Sequence, residues 1–186
     1  MLSRETILEA LARLSDELGK AGVLGELNLV GGTAMILAFN ARNATKDVDA
    51  IFEPTVQVRF AARAVADSLS LPADWLNDAA KGFLSASGDF VPLETVDLSN
   101  LRVQSPTPEY MLAMKVMASR TGVANERGDG ADIAFLIRLL NIKTAAHVMA
   151  IVTRYYDPTR ILPRSVYFVD EILEEIYPPC NPVPIP

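Results

Sequence analysis

The sequence predicts an α+β protein, a small mixed β-sheet flanked by helices with a C-terminal helical bundle. Three observations lead there. Up to residue 105, short apolar or alternating stretches take turns with helical ones, whereas beyond Pro106 every patterned segment has helical spacing. A short apolar run ends on Gly31-Gly32 and passes straight into a helical pattern. The chain has 186 residues, half of them hydrophobic, and a chain of this size buries roughly 70% of its unfolded surface without disulfides. The expected organisation is an α/β core over 1–105, a helical bundle over 106–177 and a proline-rich tail over 178–186.

Each element follows from its residues. Ile7, Leu8, Leu11, Leu14 and Leu18 recur at three- and four-residue steps, so 4–20 is an amphipathic helix, with Ser3 and Thr6 offering hydroxyls at its start. Gly22 and Gly25 interrupt it, and Asn28, Leu29 and Val30 form a short strand. Thr33–Asn40 is helical in pattern. Asp47–Phe52 alternates as a strand, with Asp47, Asp49 and Ile51 on one face and Val48, Ala50 and Phe52 on the other. Pro54 ends that strand, and 56–69 is a second amphipathic helix. A short helix is expected around Trp75–Lys81. Leu93–Asp97 and Leu101–Gln104 read as two strands joined by Leu98-Ser99-Asn100. Helices follow over 108–120, 129–140, 144–155 and 158–176, with a loop over 121–128. The last ten residues hold five prolines and predict an extended tail.

Composition narrows the chemistry. Lys and Arg number 17 against 23 Asp and Glu, a net charge of −6, which disfavours a general nucleic-acid binder. One cysteine, Cys180, excludes a disulfide framework and a thiolate-rich zinc site. One histidine, His147, excludes a multi-His metal site within one chain. Catalysis, if present, falls to carboxylates and lysine. The N-terminal residues carry charges through their apolar positions, unlike a signal peptide, and no apolar run approaches the roughly 20 residues of a membrane span. The expectation is a cytoplasmic protein with no membrane partner.

The informative stretch is Leu29–Phe52. Glycines let a backbone approach a phosphate without a Cβ in the way, and the helix behind them offers free N–H groups. Gly31 and Gly32, with the hydroxyl of Thr33, have that form, although a tight turn with close packing has it too. Asp47 and Asp49 stand two apart on a strand, so both carboxylates project from one face. Two such like charges repel, and a bound Mg²⁺ removes the conflict, since Mg²⁺ favours one or two carboxylates plus substrate phosphate oxygens. A solvated strand face is the competing reading. The apolar neighbours Val48, Ala50, Ile51 and Phe52 favour an internal strand.

These residues resemble a known family. Gly31-Gly32-Thr33-Ala34, then Arg42, then Thr45-Lys46-Asp47-Val48-Asp49 is similar to the signature of the nucleotidyltransferase (polymerase-beta-like) superfamily, in its AbiEii-type and related uncharacterised bacterial branch. A second block supports the same branch: Glu109-Tyr110-Met111-Leu112-Ala113-Met114-Lys115, then Arg120, then Asp129-Gly130-Ala131-Asp132-Ile133. The resemblance spans about residues 25–140. It implies a nucleotidyltransferase-like fold in which Gly31, Gly32 and Thr33 hold a triphosphate and Asp47 and Asp49 bind Mg²⁺. Lys115 and Asp132 would belong to the same site. A third carboxylate is expected on a later strand, with Asp97 first, then Glu94 and Asp89.

From the residues alone, Lys115 is the odd member of an apolar helix and needs a partner, either Asp132 or a phosphate, unless it snorkels to the surface. Asp129 suits the N-cap of the next helix. Arg42 and Arg120 could meet phosphate or pair with acids. Trp75 suits the core or a pocket wall, His147 a packed or half-exposed helix position, and Glu171, Glu174 and Glu175 a solvated helix face. Cys180 is expected to be an incidental exposed thiol. The implied reaction is Mg²⁺-dependent transfer of an NMP from an NTP to an acceptor hydroxyl, on tRNA or a protein. The alternatives are a toxin–antitoxin component acting on tRNA and a degenerate binding or regulatory protein of the same fold.

Overall fold

The computed structural model describes residues 1–119 and 126–178. Arg120, Cys180, most of the loop expected over 121–128 and the prolines from 179 onward lie outside the described residues. The architecture is α+β, in two compact units: Met1–Leu84 with Gly88–Thr107, and Ser85–Ser87 with the chain from Pro108 on.

The first unit is built on a mixed five-stranded sheet. Strand β1 (Leu2–Ser3) leads into α1 (Arg4–Lys20), whose N-cap Ser3 accepts a hydrogen bond from the Thr6 amide at 3.2 Å. Ile7, Leu11, Leu14 and Leu18 are buried along one side of α1. Then come β2 (Gly25–Leu29), α2 (Gly31–Leu37), β3 (Ala44–Thr45), β4 (Val48–Glu53) and α3 (Thr55–Leu69). Strands β5 (Leu76–Asn77), β6 (Phe90–Pro92) and β7 (Leu101–Pro106) complete it, in the order β5-β4-β2-β7-β6. Strand β2 is antiparallel to β4 and parallel to β7. The separate two-stranded pairing of β1 with β3 sets Leu2 opposite Thr45.

Period-2 alternation divides the sheet into two unlike faces. Leu27, Leu29, Ala50, Phe52 and Val103 are buried on the side that meets α1 and α3. Asn28, Asp49, Ile51 and Gln104, which register as neighbours or near-neighbours, share the other face and are only partly buried. The alternation expected over Asp47–Phe52 is present in the burial of β4, and β5 and β2 flank that strand.

Some expected elements lie elsewhere. Trp75 is not helical: it is buried, its indole N–H donates to the Ala62 carbonyl at 2.9 Å, and its own carbonyl accepts from Val48. The helical turn is a short 3₁₀ segment over Ala79–Phe83. Just before it, Asp78 is held below the ordinary carboxylate range by Lys81 and Arg59. The strand expected over Leu93–Asp97 is instead β6 at Phe90–Pro92, and 93–100 is irregular. Edge position explains the difference, because β6 pairs only with β7 and stops where that register ends.

The second unit packs α4 (Pro108–Ala118), α5 (Glu126–Leu139), α6 (Ala145–Tyr155) and α7 (Pro163–Ile176). Helix α4 is apolar around its circumference and buried from Tyr110 to Val116, as a central helix should be. The single helix expected over 158–176 is a 3₁₀ turn, Pro158–Arg160, followed by α7, because Pro163 suits a first helical turn and not an interior. His147 is exposed, and its backbone amide is capped by Thr144. Glu171, Glu174 and Glu175 are exposed along α7. Among the described residues no helix is long and apolar enough to cross a membrane.

Ser85–Ser87 is held in this unit by hydrogen bonds: the Ser85 amide donates to the Tyr110 hydroxyl at 3.0 Å, and its side chain donates to the Tyr155 carbonyl. The Tyr156 and Tyr110 hydroxyls are hydrogen-bonded to each other, and burial raises both above the ordinary tyrosine pKa. The folded state therefore keeps protons that the unfolded chain releases. Stability contributed here is complete below about pH 10 and declines as pH rises past it. Denaturation at stepped alkaline pH should show that loss, and Tyr156→Phe should reduce it.

Candidate functional site

Helix α2 begins at the end of β2, with no intervening loop, so Gly31 and Gly32 form its first turn. Gly31 has φ +58°, in the left-handed region that a side chain rarely adopts. A Cβ at Gly31 would lie 2.6 Å from Oδ2 of Asp49. The backbone angle therefore favours glycine, and a Cβ there would push aside the carboxylate that the spacing had singled out. At Gly32 an added Cβ would collide with the Thr45 hydroxyl and come 3.8 Å from an Arg42 guanidinium nitrogen. The Val30 amide donates to the Asp49 carbonyl at 2.9 Å, which ties the start of α2 to β4. Arg4 donates to the Ile36 carbonyl at 2.8 Å and anchors the other end of α2 to α1.

The folded chain thus brings together Gly31, Gly32, Arg42 and Asp49, with Asp47 one residue before β4. Thr33 has a different place from the one expected. It is fully buried, and its hydroxyl donates to the Asp47 backbone carbonyl at 3.1 Å. It fixes the position of the first aspartate and does not face a phosphate.

Gly31→Ala should lose about 1–2 kcal/mol from the left-handed backbone alone. It should also displace the Asp49 carboxylate, so a denaturation curve and a Mn²⁺ titration should fall together.

The expected third carboxylate does not join the pair. Asp97 sits in the loop between β6 and β7, in a hollow of about 400 Å³ lined by Leu93, Glu94, Arg102 and Gln104 among others. That loop enters β7 at Leu101, opposite Gly25 at the start of β2, whereas Asp49 lies beside Val30 at its far end. Asp89 accepts a hydrogen bond from the Thr107 hydroxyl at 2.9 Å beside the edge strand β6, and Glu94 is exposed in the loop. Among the described residues, no three acidic, histidine or cysteine side chains gather as a metal cluster.

Strand β2 supplies a different oxygen. Oδ1 of Asn28 is buried without a hydrogen-bond partner, on the sheet face that carries Asp49. Two carboxylates and an unsatisfied amide oxygen are hard donors of the kind a small dication takes, so the residues present fit Mg²⁺. The signal was a polar side chain between Leu27 and Leu29, in a strand whose other polar residue is Glu26.

In the second unit Lys115 is buried, and its ammonium lies 2.8 Å from Oδ2 of Asp132 and 2.8 Å from Oδ1 of Asp129. The pairing with Asp132 is the one its apolar surroundings called for. The contact with Asp129 was missed because α5 starts at Glu126 and not at Asp129. Asp129 is therefore inside the helix, three residues from Asp132 and on the same side.

No family model, no curated protein and no solved structure matches this chain.

Proposed function

We propose that the chain is a Mg²⁺-dependent nucleotidyltransferase that moves an NMP from an NTP to an acceptor hydroxyl. The observation that carries this reading is the packing of the Asp49 carboxylate against Gly31 at the first turn of α2. A carboxylate there is placed to hold a cation beside a backbone that a phosphate can approach closely. Asp47 and Asp49 would hold the cation, which when bound neutralises triphosphate charge and polarises the α-phosphorus. Gly31 and Gly32 leave room for phosphate oxygens, Arg42 supplies a cation beside them, and Thr33 positions Asp47. In the reaction the acceptor oxygen bonds to the α-phosphorus, the bond to the β-phosphate oxygen breaks, pyrophosphate leaves and the hydroxyl proton passes to solvent. Lys115 is assigned to joining α4 to α5, because its ammonium already meets two carboxylates. An NTP substrate and a single cysteine suit a cytoplasmic setting.

A second reading, nucleotide binding without transfer, is favoured by the lack of a third acid beside the pair among the described residues. One experiment separates the two. The protein is incubated with Mg²⁺, each α-labelled NTP and a cell extract, and label is followed into RNA and protein. Incorporation into either supports transfer and identifies the acceptor class. Calorimetric NTP binding without incorporation supports the second reading. Absence of Mg²⁺-dependent NTP binding overturns both.

A further inference from the structure

We infer that the side-chain oxygen of Asn28 is a neutral third ligand to the dication held by Asp47 and Asp49, in place of a third carboxylate. The inference rests on the function proposed above.

Oδ1 of Asn28 is the single buried side-chain nitrogen or oxygen without a hydrogen-bond partner among the described residues. A buried acceptor left unsatisfied has lost its hydration with nothing in return, so a protein rarely retains one without a use for it. A cation, a water molecule or a donor from a ligand can satisfy it. Register selects the cation. Asn28 stands opposite Ile51 on β4, and Asp49, two residues from Ile51, is its diagonal neighbour on the same face. Diagonal positions on paired strands lie about 7–8 Å apart, within reach of two short side chains converging on one ion. On the other side of Asn28 stands Gln104, whose amide leaves the Asn28 oxygen unsatisfied.

The chemistry of a neutral ligand suits the substrate. Two carboxylates balance a dication, whereas a third would leave a surplus negative charge facing a triphosphate. An amide oxygen completes the coordination without that surplus, and Mg²⁺ accepts neutral oxygens readily. In the cation-free protein an Asn28 oxygen left without a partner should cost stability. That conflict between stability and binding distinguishes a ligand from a packing residue.

The test uses the full chain and Mn²⁺ alone, with bound metal read by electron paramagnetic resonance and stability by thermal melting. Asn28→Leu, close in shape and without polar atoms, should melt higher than wild type without metal and bind Mn²⁺ about tenfold or more weakly. Asn28→Asp should melt lower without metal, bind Mn²⁺ more tightly, and recover its melting temperature as Mn²⁺ is added. Wild-type Mn²⁺ affinity in both variants overturns the role of Asn28. If Asp49→Asn also removes Mn²⁺ binding in that case, the function proposed above stands without it. If wild type binds no Mn²⁺ at millimolar concentration, the proposed function falls as well.

Discussion

Asp49→Asn should abolish the proposed Mg²⁺-dependent NMP transfer while leaving the protein folded. The substitution keeps the shape that packs against Gly31 and removes the charge. Loss of one preorganised electrostatic group from such a site costs roughly 10²–10³-fold in rate, and loss of a metal ligand should cost at least that. The protein should still melt cooperatively, because the substitution is isosteric and leaves the Asp49 backbone carbonyl bonded to the Val30 amide. Labelled-NTP transfer and a melting curve on the same preparation check both parts. Transfer at the wild-type rate would show that the carboxylate takes no part in the reaction.

The largest effect on stability should come from Lys115→Met. The substitution preserves much of the apolar stem but removes the cation between Asp129 and Asp132, whose carboxylates both lie 2.8 Å from the ammonium. Asp132 is 2% exposed, so water does not replace the lost partner. Breaking a buried ion pair from one side costs about 3–5 kcal/mol, a large part of the 5–15 kcal/mol that holds a typical domain together. The loss should be strongly non-additive. Adding Asp129→Asn and Asp132→Asn to Lys115→Met should restore much of it, since no charge is then left buried. Urea denaturation of the single and triple variants measures this directly. If the single variant is as stable as wild type, the ion cluster does not hold α4 to α5.

The two clusters also recast the meaning of the net charge of −6. Asp47 and Asp49 contribute to that surplus where a dication would cancel them, and Asp129 and Asp132 contribute where Lys115 already does so in part. The acidic sum therefore says little against a nucleotide ligand, although it still disfavours a broad surface for a large RNA.

Much of the local structure was legible in the residues. Helix α1 has the bounds that its apolar spacing indicates, Ser3 caps it, and the two faces of β4 alternate as written. Each of these depends on a few consecutive residues and on the fixed periods of helix and strand. The pairing of Lys115 with Asp132 was legible as well, because an ammonium on an apolar helix must find a counter-charge. Asp97 was harder to place. Its Val-Asp context reads as strand, but β6 forms earlier, at Phe90–Pro92, because the pairing with β7 sets the register there. Thr33 was misjudged for a similar reason. A hydroxyl after two glycines suggests an anion site, yet folding brings the Asp47 carbonyl within 3.1 Å of it.

By itself, then, the sequence determined helix α1, the alternation of β4 and the glycines at the start of α2, and it singled out Asp47 and Asp49. Tertiary structure decided that Gly31 meets the Asp49 carboxylate, that Asn28 lies on the same face, that Asp97 joins another loop, and that Asp129 shares Lys115. The physical reason is range. Backbone sterics and hydrophobic period act over a few residues and can be read in place. Strand order joins Gly25 to Leu101 and β1 to β3 through the summed packing of the whole unit, and no short stretch of chain carries that sum.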